Sequence, residues 1–305
     1  MGIAGLSIAW RLAIRNVASA STIATVLAWA ALAVFAALVA LYSAKLILHP
    51  SAVRAEWTHP VKAAFTPALT IAALVLAGAL LPLAPVLAEA LWWAGAAGHL
   101  VVTLYLVGRW IAHPDVRAEH IHPGWFLAPV GNVVAPIVGV SFASTEVVWF
   151  FFGVGLVYWF ALLPLVLHRL FTLGSLPPRL LPSLAILISP PSVAAIAWVA
   201  LGGTWAGPIA RVLLGVAVFQ ALLLLALIPQ LRRAPFAPSA WAYTFPLAAL
   251  TIALLSAAEA TGNRTCLLAG AATLGAATLV VAALAARTAV GLTRHEICRA
   301  EPATA

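Results

Sequence analysis

Long apolar runs, broken by short clusters of charge, proline and polar turn residues, divide the chain into ten segments: 2–14, 20–47, 60–82, 85–111, 123–143, 146–168, 179–201, 208–231, 240–259 and 266–291. A helix needs about 20 apolar residues to cross a bilayer, and nine of these runs are long enough. The first is the exception. Arg11 and Arg15 interrupt it, so it covers only roughly 20 Å at about 1.5 Å per residue. It reads as a half-helix, or as the remainder of a segment whose start lies upstream of Met1.

Prolines follow a weak period over these segments. The third opens His59-Pro60 and carries Phe65-Thr66-Pro67, while the fifth opens His122-Pro123 and carries Phe126, Pro129 and Pro136. The seventh has Pro178, Pro182 and Pro190-Pro191, and the ninth has Phe245-Pro246. Even segments hold fewer, and Pro164 and Pro229 lie toward their cytoplasmic ends. A proline within a helix removes a backbone donor and frees a carbonyl that hydrocarbon cannot satisfy. Kinked odd segments therefore belong inside, against protein or a water-filled cavity, with straighter even segments outside. The pattern predicts an all-α integral membrane protein of five helical hairpins, a single transmembrane domain over 1–305.

Composition agrees. Hydrophobic side chains make up 64% of the 305 residues and charged ones 8%, against about a quarter in soluble domains. Ten spans leave only about 100 residues for connections and tails, too few for a second, soluble domain. The net charge of +8 is scattered singly and in pairs, which argues against nucleic acid as a partner. It carries topology instead. Twelve of the 16 Lys and Arg fall at connections 2–3, 4–5, 6–7, 8–9 and the C-terminus; Arg11, Arg15, Arg211 and Arg264 fall opposite. The positive-inside rule then places both termini in the cytoplasm. The cysteines, Cys266 and Cys298, are too few for a disulfide framework or a structural zinc site.

Ionisable groups within the segments are few, and each is a functional candidate because lipid makes it costly. Glu89 and His99 lie in the fourth segment, Glu146 opens the sixth and Glu259 closes the ninth. The acids sit near ends where water reaches them. His99 lies near mid-membrane, and its simplest reading is a neutral imidazole hydrogen-bonded to a neighbouring helix. His113, His120 and His122 cluster with Asp115 and Glu119, a set that suggests a metal site. The four His-Pro pairs beginning at His49, His59, His113 and His122 read more simply as helix stops and starts.

Enzyme chemistry lacks its parts. A prenyltransferase needs clustered aspartates, and Asp115 is the single one; haem needs paired axial histidines within the spans; no Gly-x-Ser-x-Gly turn occurs. No cofactor and no metal are expected. The inner segments instead carry Pro, Gly, Ser, Thr, Asn132 and phenylalanines, the make-up of a weakly selective pore. Phe65, Phe126, Phe142 and Phe245 either close such a path or simply pack helices together.

Four stretches carry a family resemblance: Val53-Arg54-Ala55-Glu56-Trp57-Thr58-His59-Pro60-Val61-Lys62, His122-Pro123-Gly124-Trp125-Phe126, Phe151-Phe152-Gly153-Val154-Gly155 and Trp241-Ala242-Tyr243-Thr244-Phe245-Pro246-Leu247-Ala248. In this order the chain resembles the TehA-like tellurite-resistance/dicarboxylate transporter family, which includes the plant slow anion channels. The resemblance implies ten helices as five hairpins in a quasi-fivefold array, a central pore lined by odd helices, and a homotrimer in the inner membrane that conducts small inorganic or carboxylate anions. It implies that Phe245 occludes the pore and that Pro246 shapes the kink placing its ring. The lining and its kinks then fall to Phe65, Pro67, Phe126, Pro129, Asn132, Pro136 and Pro190. The family's first helix begins with a Phe-Pro-x-Gly-like opening, and this chain starts inside that helix at Gly2. A proton-coupled carrier of C4-dicarboxylates, tellurite or sulfite is the other activity the resemblance allows.

Overall fold

The computed structural model describes residues 1–13, 18–112 and 116–294. Arg15, His113, Asp115, Cys298 and Arg299 lie outside the described residues. The described residues contain helices and no strand. In chain order the α-helices are α1 (Gly2–Ala13), α2 (Ala18–Leu48), α3 (Pro50–Thr58), α4 (Ala68–Leu80), α5 (Pro85–Ala112) and α6 (Ala135–Gly139). They continue with α7 (Thr145–Thr172), α8 (Ser189–Ala200), α9 (Pro208–Ala226), α10 (Ile228–Leu231), α11 (Thr244–Thr261) and α12 (Arg264–Thr293).

Eight helical stretches among the described residues are long and apolar enough to cross a membrane, and Gly2–Ala13 and Val130–Gly139 are shorter apolar helices. The expectation of nine long spans is corrected at the fifth segment. There Pro123–Leu127 and Val130–Val134 are two 3-10 turns, and α6 adds only 5 residues. Pro123, Pro129 and Pro136 each remove an amide within 14 residues, so no long i to i−4 ladder can propagate.

The other proline-rich segments share a design. The third runs as a 3-10 turn, Lys62–Phe65, before α4; the seventh as Pro178–Ile188 before α8; the ninth as Pro238–Tyr243 before α11. Each thus changes helical type part-way across. Burial divides the segments along the same line. Over an 18-residue apolar window of each, the share of buried residues is 61%, 78% and 61% in the third, seventh and ninth segments, and 17% to 33% in the spans α2, α5, α7, α9 and α12. The exposed large side chains of those outer helices, such as Leu41, Leu104, Phe160, Val212 and Leu279, are what a lipid-facing surface requires.

Each inner segment packs on the helix that follows it: α1 on α2, α4 on α5, α6 on α7, α8 on α9 and α11 on α12. The inner segments also touch one another in a closed cycle, α1 to α4, α4 to α6, α6 to α8, α8 to α11 and α11 back to α1. The tightest reversal is at α11–α12. Gly262 there takes φ 67°, the left-handed conformation that ends a helix, and the Asn263 side chain accepts from Thr265 N at 2.9 Å and Cys266 N at 3.2 Å.

Small residues set how closely the inner segments approach. A Cβ on Gly5 of α1 would stand 2.9 Å from Ala248 Cβ of α11, and one on Gly155 of α7 would stand 2.7 Å from the backbone N of Val133. The broken fifth segment is held by side chains from its neighbours. Trp92, fully buried on α5, donates from Nε1 to Ala135 O at 2.8 Å, and Thr103 donates to Ala128 O at 2.8 Å. These bonds tie the fifth segment to α5 by giving each of the two carbonyls a side-chain donor.

Candidate functional site

A half-open cavity of about 930 Å³ lies between the inner segments. Its wall takes residues from all five, including Gly2 and Ala4, Phe65 and Thr70, Phe126 and Gly131, Ser189 and Pro190, and Phe245 and Pro246. On one side it extends past α1 to α2, where Val34, Phe35, Leu38 and Tyr42 face it. The charged residues of the lining are Glu56, from α3, and Lys62, at the start of the third segment. Glu56 is engaged by Lys45 of α2, and Trp57 beside it donates to Tyr42 Oη at 2.8 Å. The remainder of the wall is apolar side chains with a few hydroxyls.

Three α-helices, α4, α8 and α11, begin at lining residues, Ala68, Ser189 and Thr244. Their amino ends, where peptide dipoles leave partial positive charge, therefore lie against the cavity. Phe245 is half-buried in the first turn of α11 and lines the cavity, as does the buried Pro246 that follows it. The backbone of Gly5 passes close to the Phe245 ring, since a Cβ on Gly5 would be 3.9 Å from its Cδ2. Thr244 fixes the turn by donating to Trp241 O at 2.7 Å, and Trp241 donates to Thr288 Oγ1 of α12 at 3.0 Å.

Of the residues singled out in the sequence, Phe65, Phe126, Pro190, Phe245 and Pro246 line this cavity, whereas Pro67, Pro129, Asn132, Pro136, His99 and Glu89 do not. Pro67 and Pro129 precede α4 and the Val130–Val134 turn as caps, and Pro136 sits in the first turn of α6. They break the helices rather than face the cavity. Asn132 turns toward α5, donating to Thr103 Oγ1 at 3.1 Å and Pro129 O at 2.8 Å. Glu89 is exposed one turn into α5. His99 is fully buried, and its Nδ1 lies 2.8 Å from Thr70 Oγ1 on α4, a hydrogen bond to a neighbouring helix. It stands directly behind the wall, because a Cβ on Gly131 would meet His99 Nε2 at 2.7 Å.

The loop histidines act on backbone. His59 Nδ1 accepts from Val61 N and Lys62 N at 3.1 and 3.2 Å, His120 Nδ1 from Arg117 N at 3.2 Å, and His122 Nδ1 from Gly124 N at 3.1 Å. These are turn and capping contacts. Among the described residues no three metal-ligating side chains converge. Burial pushes the His122 imidazole down to about 4, and its ring stacks on Phe65 at 5.2 Å. Ser189 was not legible as a site residue in the sequence. Its hydroxyl is buried without a partner among the described residues, a property that only packing reveals.

The comparisons with known proteins converge on one family. A family model described as voltage-dependent anion channel matches residues 1–289. The chain is 32% identical over 262 residues to the S-type anion channel SLAH2 of Arabidopsis thaliana, which covers 85% of this chain and 50% of that protein. It is 29% identical over 224 residues to the guard cell S-type anion channel SLAC1 of the same plant, covering 72% and 40%. It is 26% identical over 259 residues to the tellurite resistance protein TehA homolog of Haemophilus influenzae, covering 82% and 76%. The chain thus spans about half the length of SLAH2 and less of SLAC1. With nearly its whole length matched, this chain belongs to the SLAC1/TehA family of voltage-dependent anion channels.

Proposed function

We propose that this protein is an anion channel or facilitator that passes small anions down their gradient through the cavity between its inner segments. The observation that carries the reading is the cavity itself, walled by five inner segments, uncharged over most of its lining and lined in part by Phe245. Helix amino ends and hydroxyls make an anion tolerable over the uncharged part of that wall. Discrimination then follows the cost of stripping water from the ion and the width left beside the ring.

In this reading the ten segments form five hairpins in a quasi-fivefold array within the inner membrane, both termini cytoplasmic, and three copies associate with one path in each. The closed cycle of inner contacts and the burial difference support the array, and the 12 to 4 division of cations supports the sidedness. Phe245 serves as the gate. Replacing it, Phe245→Ala, is expected to raise anion conductance several-fold in liposomes or oocytes, and unchanged conductance removes Phe245 from that role.

The competing reading is a proton-coupled carrier of C4-dicarboxylates, tellurite or sulfite. One relative is named for tellurite resistance, and His99 stands one residue behind the wall. A carrier gives saturable, pH-dependent flux. Linear flux with flat pH dependence under chloride, nitrate and malate gradients decides for the channel.

A further inference from the structure

Phe245 stands at a joint between two helical types, with the 3-10 turn Pro238–Tyr243 before it and α11 from Thr244 onward. Backbone binds this joint weakly. Pro246 has no N–H to bridge α11 to the residues before it, and 3-10 bonds are poorer in geometry than those of an α-helix. Side chains add the ties, and α12, which packs along α11, supplies two of them at adjacent positions. Trp241 Nε1 donates to Thr288 Oγ1 at 3.0 Å, and the Arg287 guanidinium lies over the Phe236 ring at 4.8 Å. The turn and the stretch leading into it thus rest on one outer helix. Thr244 carries the tie across the joint, donating to Trp241 O at 2.7 Å one residue before Phe245. On the other side stands α1, where a Cβ on Gly5 would be 3.9 Å from Phe245 Cδ2 and one on Gly2 would overlap Thr244 Oγ1. The same α12 holds α1, because Trp10 Nε1 donates to Thr278 Oγ1 at 3.1 Å.

Resting on the gate role given to Phe245 above, we propose that the Trp241–Thr288 hydrogen bond is a latch. It holds the Pro238–Tyr243 turn against α12 and so keeps the Phe245 ring in the anion path; its release lets turn and ring swing together out of the cavity. The ring in the path is one of two positions of a short lever, and whatever holds the lever in one position sets the population of the other. The energy of one hydrogen bond is enough to change that population severalfold. Trp241 and Thr288 are positioning residues, acting through the ring and not on the ion.

The test measures chloride conductance of the full chain in liposomes. Thr288→Val, equal in shape and without the acceptor, is expected to raise conductance about two- to tenfold, the loss of one hydrogen bond from the closed position. Thr288→Ser, which keeps the hydroxyl, is expected to stay within about twofold of the wild type. Trp241→Phe removes the same bond from its other end and is expected to give a rise in the same direction, which covers the case where Thr288→Val does not fold. Thr278→Val removes the equivalent tryptophan–threonine bond at α1 and is expected to leave conductance within about twofold. In the Phe245→Ala background Thr288→Val is expected to add less than about twofold, since no ring remains to be held. Conductance equal to the wild type's in Thr288→Val or Trp241→Phe, with Phe245→Ala still raised, overturns the latch and leaves the gate in place. So does a rise that persists in full in the Phe245→Ala background, or one that Thr278→Val matches. If Phe245→Ala itself conducts like the wild type, the gate reading falls and the latch with it.

Discussion

Gly153 and Gly155 stand two residues apart on α7 and face different worlds. A Cβ on Gly153 would meet nothing within 4 Å, whereas one on Gly155 would stand 2.3 Å from Val133 Cγ2. Gly155→Ala is therefore expected to destabilise the protein by about 1–3 kcal/mol through overpacking, and Gly153→Ala to leave it unchanged or slightly stabilised through helix propensity. Thermal unfolding in detergent measures both. His122 gives a pH prediction at the same scale. Its imidazole is buried neutral with a value near 4 against the ordinary 6.5, so its contribution to stability is present above about 6.5 and lost as pH falls through about 4. His122→Asn, which keeps an acceptor for Gly124 N, is expected to flatten the fall in melting temperature between those pH values. A slope equal to the wild type's would show that other groups govern it.

Among the elements, the fifth segment shows what a proline pattern can and cannot convey. Trp92 is the support to test, because its indole N–H reaches Ala135 O from α5. Trp92→Phe keeps most of the ring and removes this hydrogen bond between α5 and α6, so a loss of about 0.5–1.5 kcal/mol is expected, read by chemical denaturation in detergent. The segment limits were legible in sequence to within a few residues: 85–111 is observed as α5, Pro85–Ala112, and 266–291 as α12, Arg264–Thr293. Hydropathy and charge fix where chain meets water, which is why the limits were readable. The exchange of 3-10 for α geometry was not. Both helix types bury the same apolar residues, and the choice depends on which carbonyls the neighbours satisfy. The candidate site was legible in the same uneven way. Phe245 and Pro246 stand in a motif, whereas Asn132 looked like a lining residue and faces α5, and Ser189 gave no sign at all. Whether a polar side chain points inward or sideways is decided by the break next to it, not by its own identity.

For the molecule as a whole, the division of cations and the alternation of buried and exposed helices make a prediction about orientation. Ser51, at the start of α3, and Ala206, between α8 and α9, are both exposed and lie on connections of opposite predicted sidedness. With Cys266 and Cys298 replaced by serine, Ser51→Cys is expected to react with an impermeant thiol reagent only from the cytoplasmic face, and Ala206→Cys only from the other. Labelling of both from one side would break the alternation.

The order in which inner and outer helices follow one another bears on how such a protein is made. Each segment with an interrupted amide ladder is succeeded in the chain by the long helix that packs against it, α4 by α5, α6 by α7, α8 by α9 and α11 by α12. A ribosome feeding the bilayer thus delivers every vulnerable stretch together with its own cover. In the fifth segment Ala128 O and Ala135 O accept from Thr103 and Trp92, on a helix already synthesised before them. Biogenesis can then proceed hairpin by hairpin, with no half-made intermediate obliged to hold unbonded peptide groups in oil while it waits for the far end of the chain.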